Sequence, residues 1–184
     1  MPQSFGQCSL FLHPVHDFIL EDTQSLIADL QKISLVSQVI NKQDSYNYFT
    51  GDKFLDYIAY MGCAPTIQFE ANEVNDKFCY IKIHHHKTAK LISNTKPSAS
   101  PHCPHCKKTV KNWQDTRTTT TIKCDQCETT SNIEDFNWRK MAGYARLFIE
   151  ITDIFPKEAI PQQILLDKLA KLTDIEWQYF YSCR

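Results

Sequence analysis

Residues 101 to 127 read PHCPHCKKTVKNWQDTRTTTTIKCDQC, and this stretch constrains the chain more than any other. It holds four of the eight cysteines, as two C-x-x-C pairs with 17 residues between them. A C-x-x-C turn offers two sulfurs from one tight loop, and two such turns at this spacing supply the four ligands of a tetrahedral ion. The start MPQSFGQCSLFLHPVHDFILEDTQ lacks the basic segment of a secretory leader and soon meets Asp17, Glu21 and Asp22. No apolar run approaches the roughly 20 residues of a membrane span. A cytoplasmic chain is therefore expected, with reduced thiols, and there paired C-x-x-C motifs favour metal over disulfide.

The 17 intervening residues are long enough to run out and back. TTTTIK at 118 to 123 is β-branched and suits the returning strand, KKTVKNW at 107 to 113 the outgoing one, and NIEDFNW at 132 to 138 a third. With Cys103, Cys106, Cys124 and Cys127 as ligands, the pattern resembles the zinc-ribbon group over about a quarter of the chain. The expected cofactor is one Zn²⁺. A rubredoxin-like iron site uses the same turns, so spacing alone leaves iron open. A thioredoxin-type site uses one C-x-x-C at a strand-to-helix junction, which is a poorer match. Four thiolates fill the shell, whereas catalytic zinc keeps a position open, so the metal is expected to be structural.

The rest of the chain alternates strand and helix signals. CSLFLH reads as a strand. LEDTQSLIADLQKI reads as a helix, with Leu26, Ile27, Leu30 and Ile33 at helical spacing. SLVSQVI and YNYFT are β-prone, GDKFLDYIAYMG reads as a helix capped by Asp52, and TIQFEA and KFCYIKIHHH read as strands. After the cysteines come GYARLFIEITDIFP as a strand, PQQILLDKLAKLTD as a helix with Pro161 in its first turn, and EWQYFYSC as a strand. The expected fold is α+β: a ferredoxin-like sandwich formed by residues 1–94 and 139–184, with a zinc ribbon inserted at 95–138.

Charge and histidines point to possible partners. From Lys87 to Cys127 eight cations face two acids, a formal +6 in a chain of net −1. Lys107, Lys108, Lys111, Trp113, Arg117 and Lys123 are the candidate nucleic-acid contacts, with Trp113 placed to stack on a base. The opposing reading is a solvated ribbon whose Trp113 packs onto the parent domain and whose role is structural or protein-binding. HPVH and HHH make His13, His16, His84 and His86 candidates for a second metal site, and with it a metalloenzyme. The other cysteines, Cys8, Cys63, Cys79 and Cys183, read as core thiols. Four scattered glycines build no phosphate loop, so no nucleotide cofactor is expected. Three functions follow: nucleic-acid recognition through a basic ribbon, protein adaptor with structural zinc, or histidine metalloenzyme.

Overall fold

A computed structural model describes residues 8–61, 67–71, 77–94, 100–111, 113, 120–154 and 158–183. Arg117 and Cys63 lie outside them. Among the described residues, ten strands and three α-helices run in the order β1 (Cys8–Pro14), α1 (Thr23–Lys32), β2 (Val36–Asn41), β3 (Asp44–Thr50), α2 (Phe54–Tyr57), β4 (Ile58–Tyr60), β5 (Ile81–Ser93), β6 (Thr121–Lys123), β7 (Thr130–Asn132), β8 (Ala142–Thr152), β9 (Ala159–Pro161), α3 (Gln163–Thr173) and β10 (Trp177–Cys183). The main sheet has the order β10-β1-β8-β5-β3-β2, and every pairing is antiparallel.

Strand periodicity gives this sheet two different faces. Leu10, Leu12, Ile81, Ile83, Leu147, Ile149 and Ile151 bury against Leu26, Ile27 and Leu30 of α1 and Leu165 and Leu169 of α3. Both long helices thus cover one face. Asp22 caps α1 by accepting the Gln24 amide, 2.8 Å away. The second face carries Ser9, Phe11, His84, Phe148, Glu150 and Phe180. Phe11, Ala145, Phe148 and Phe180 form a separate core there.

The far ends of β5 and β8 fold back over this second face. The pairing register shifts between His85 and Lys90, and the hairpin bends at that point. Gly143 then passes so close that a Cβ on it would lie 2.5 Å from His13 Nε2 and from a Phe180 ring carbon. Beyond it, the Tyr181 amide donates to the Lys140 carbonyl, 3.1 Å away, at the outer edge of β10.

Five expectations need correction. GDKFLDYIAYMG forms only the single turn α2, because Ile58, Ala59 and Tyr60 pair with β9 instead. Asp52 is not the cap; Lys53 holds that position without a side-chain bond. Pro161 ends β9 rather than opening α3. Residues 67–71 of TIQFEA are not a strand. Cys8 and Cys183, read as core thiols, are joined by a disulfide where β1 and β10 pair. Among the described residues no helix is long and apolar enough to cross a membrane.

Candidate metal centre and adjoining cleft

The two cysteine turns share one backbone pattern. In the first, Cys103 N donates to Lys108 O, Lys107 N to Cys103 O, and His105 N to Cys103 Sγ, at 2.9, 3.1 and 3.4 Å. In the second, Cys124 N, Glu128 N and Gln126 N repeat these bonds to Thr129 O, Cys124 O and Cys124 Sγ, at 2.9, 2.9 and 3.4 Å. Each turn closes with a left-handed residue, Lys107 at φ 61° and Glu128 at φ 59°. Glycine usually takes that conformation, so these turns carry no glycine signal in the sequence.

The turns face each other and bring the four sulfurs within 4.8 Å of one another. Cys103 to Cys127 and Cys106 to Cys124 both measure 3.7 Å. A tetrahedron with metal–sulfur bonds of about 2.3 Å has edges of about 3.8 Å, so the sulfurs present fit one tetrahedral thiophilic ion. The Thr129 hydroxyl and amide bring the Cys127 thiol down to about 6. Cys106 is pushed up to about 11: desolvation and bonds from the other three sulfurs outweigh the Lys108 amide. His102 and His105 are not needed as ligands.

Around the cysteines, β6 pairs with β7, and His102 bridges Thr109 and Asn137. The outgoing segment at 107–113 contributes that bridge rather than a full strand. Val110, Trp113, Ile122, Ile133, Phe136 and Trp138 bury together with Cys103, Cys124 and Ala142. Trp113 is 1 % exposed and meets Trp138 edge-on at 5.1 Å. This overturns its reading as a base-stacking residue, because so small a module uses its large aromatic as core. Lys107, Lys108, Lys111 and Lys123 are exposed. The folded ribbon also includes Glu128, Glu134 and Asp135. Residues 95–138 thus hold six cations against five acids, and four thiolates on Zn²⁺ would add a net −2. The positive excess belongs to a window that stops at Cys127, not to the ribbon.

The ribbon is docked on the sheet. Leu91 and Tyr144 of the β5–β8 hairpin pack on its core. Asn94 N donates to Met141 O at the stem, 3.0 Å away. The chain returns through a tight turn in which Arg139 and Lys140 both adopt left-handed angles (φ 51° and 58°), closed by Met141 N to Trp138 O at 2.9 Å. Such a turn suits Asn-Gly, and here it aims two cations in different directions. Arg139 Nη2 donates to Ser100 O (2.7 Å) on the ribbon side, and Lys140 Nζ to Tyr179 Oη (2.6 Å) on the sheet side.

Between stem and sheet lies a cleft of about 680 Å³. Phe136, Trp138, Arg139 and Lys140 form one wall, and Trp177, Gln178 and Tyr179 of β10 the other. Glu134, Asp135 and His16 stand at its rim. β10 is the end strand of the sheet. Tyr181 turns its amide outward to Lys140 O, so by strand alternation Tyr179 and Trp177 also turn their amides and carbonyls away from β1. In the sequence the aromatic residues of EWQYFYSC read either as a core strand or as an anchor patch for a protein partner, and no local pattern decides between the two.

The four candidate histidines do not converge. His13 is 2 % exposed, packed between Phe148 and Phe180, with Nδ1 2.8 Å from Pro14 O. Burial lowers its pKa to about 4, against the Pro14 bond. His16 is exposed at the cleft rim. Phe148 touches both His13 and His86, and so keeps them apart. His84 and His86 do share a face, with ring centroids 6.3 Å apart. Among the described residues only the four cysteines group as three or more ligands.

A buried polar chain went unread in the sequence. Glu150, 7 % exposed, accepts from Ser9 Oγ through Oε1 and lies 2.7 Å from His84 Nε2 through Oε2. Burial alone would raise the Glu150 pKa, but bonds from His84 and Ser9 and the charges of His84 and Lys82 hold it below its ordinary value. The signal was there: one acid within the apolar strand LFIEIT, opposite a histidine tract. Cys79 is buried and its thiol is pushed up to about 12, which makes it inert. Comparison of the chain with known protein families, curated proteins and solved structures finds no match.

Proposed function

We propose that this is a recognition protein in which one structural zinc stiffens a ribbon, and the ribbon stem and the edge of β10 together grip an extended segment of a protein partner. The observation that carries this reading is the cleft between Phe136–Lys140 and Trp177–Tyr179. One wall is an end strand whose outward amides and carbonyls can pair with an added strand. The other is aromatic and is held in place by the metal. Four thiolates leave the metal no position for water or substrate, which supports a structural role. The scaffold reading is a ferredoxin-like sandwich. The order β10-β1-β8-β5 with α1 and α3 on one face supports it, β2 and β3 then extending the sheet beyond β5.

Photo-crosslinking tests the proposal. A crosslinker at Gln178, on the cleft wall, is expected to give discrete protein adducts in cells, and one at Asp125, beside Cys124 on the ribbon, none. Tyr179→Pro removes an outward amide without touching the β1 ladder and is expected to abolish the adducts. Adducts that survive Tyr179→Pro, or that form equally from Asp125, would refute this mode.

Nucleic-acid binding is the second reading, favoured by the exposed Lys107, Lys108, Lys111 and Lys123. It requires retention on single- or double-stranded nucleic acid that falls steeply with salt. No retention at low salt removes it.

A further inference from the structure

We propose that His84 and His86 form a second, open metal site for Zn²⁺ or Ni²⁺, in which Glu150 is the carboxylate that orients His84. The site is independent of the cleft and of its partner. β5 is extended here, so residues two apart project from one face. The two imidazoles are nearly parallel, 23° apart, and line a recess of about 380 Å³ with Tyr46, Asn47, Lys82 and His85.

The arrangement of Glu150 separates this pair from a simple histidine tract. A metal-bound histidine characteristically donates its other ring N–H to a carboxylate, which fixes the tautomer and aims the free nitrogen. With Nε2 2.7 Å from Glu150 Oε2, His84 meets this condition: Nε2 donates to the carboxylate, and in the neutral ring that a metal requires, Nδ1 is left as the ligand atom. Glu150 is itself held by Ser9 Oγ at 2.7 Å, so the carboxylate is fixed at both oxygens. His85 is different. Its Nδ1 lies 3.0 Å from Thr23 Oγ1, toward α1.

Distances allow one ion between the rings. With metal–nitrogen bonds of about 2.0–2.1 Å, a ring centroid lies about 3.2 Å from the ion, so two centroids on one ion span at most about 6.4 Å and about 5.2 Å at a tetrahedral angle. The separation of 6.3 Å closes by about 1 Å if His86 rotates; that half-buried ring meets Phe148 edge-on at 6.3 Å and lies near enough to Lys90 to feel its charge. Lys82 leans the other way, with Nζ 5.3 Å from the centroid of the Tyr80 ring. Two protein ligands leave positions for water or an exogenous ligand, unlike the closed thiolate site. A borderline cation suits imidazole, and the thiolates take the first zinc.

The test titrates Ni²⁺ into protein carrying one zinc, with native mass spectrometry counting both ions. One Ni²⁺ per chain is expected, with zinc retained. His84→Ala and His86→Ala should each abolish it, Glu150→Gln should weaken it by about 10- to 100-fold, and His85→Ala should leave it unchanged. Ser9→Ala, a milder change to the same chain, should weaken it less than Glu150→Gln and guards against misfolding of the latter. No second ion, loss on His85→Ala equal to that on His84→Ala, or full affinity in both Glu150→Gln and Ser9→Ala would overturn the proposal.

Discussion

Lys140 Nζ lies 2.6 Å from the Tyr179 hydroxyl and 4.1 Å from the centroid of its ring, so one ammonium is held by both the polar tip and the π face of the same side chain. The contact joins the ribbon's return turn to the end strand of the sheet and spans the mouth of the cleft. A cation over an aromatic face contributes about 0.5–1 kcal/mol at exposed sites. A double-mutant cycle of Lys140→Met and Tyr179→Leu should therefore give a coupling of about 0.5–1 kcal/mol in urea unfolding. A coupling of zero would mean that the ribbon docks through its core and backbone bonds, without this pair.

Glu128 sits in the left-handed region where an L side chain costs roughly 1–2 kcal/mol. Glu128→Gly is expected to stabilise the metal-loaded protein by up to about 1 kcal/mol, part of the relief being offset by the greater freedom of glycine in the unfolded chain. Chelator-induced unfolding should need a higher chelator concentration than in the parent. A lower one would show that the Glu128 side chain contributes more than its conformation costs.

His13 has a pKa of about 4 against an ordinary 6.5, because burial penalises the charged ring. The unfolded chain therefore binds a proton between these values while the folded chain does not. Stability is fully present above pH 6.5 and is lost as pH falls toward 4, by about 3 kcal/mol for this group. His13→Gln should remove that slope, leaving only the part due to thiolates and Glu150. Stability curves for the two proteins that run parallel between pH 4 and 6.5 would contradict the burial argument.

Metal removal should melt the ribbon and spare the sheet. The ribbon core has few large side chains beyond Trp113, Phe136 and Trp138, whereas the main core joins two helices to the sheet. A chelator is expected to release the Trp113–Trp138 near-ultraviolet signal while the far-ultraviolet spectrum keeps most of its intensity. Cys124→Ser should do the same. Coincident loss of both signals would mean that sheet and ribbon fold as one unit.

The ligands of the metal centre were legible because four residues of one type at fixed spacing admit few chemistries. The helices α1 and α3 were legible from periodicity, since each buries one face, and β1, β8 and β10 from their apolar, β-branched and aromatic runs, since β1 and most of β8 are buried on both faces. What escaped was non-local. Trp113 beside lysines reads as a contact residue until Trp138, 25 positions on, is placed against it. Cys8 and Cys183 meet only because β1 and β10 pair along their whole length. Ile58–Tyr60 continue a helical pattern in sequence, but β9 offers them a strand partner. The Ser9–Glu150–His84 chain spans three adjacent strands, and no local pattern marks it.

The central claim is that Cys103, Cys106, Cys124 and Cys127 close a four-sulfur shell around one zinc. X-ray absorption at the zinc edge, on protein with one equivalent of metal, tests it most directly. Four sulfur scatterers at about 2.3 Å and no nitrogen or oxygen is the expected shell. A shell of two or three sulfurs with lighter atoms would contradict it, because the metal would then keep a position open to water and the ribbon could no longer be called purely structural.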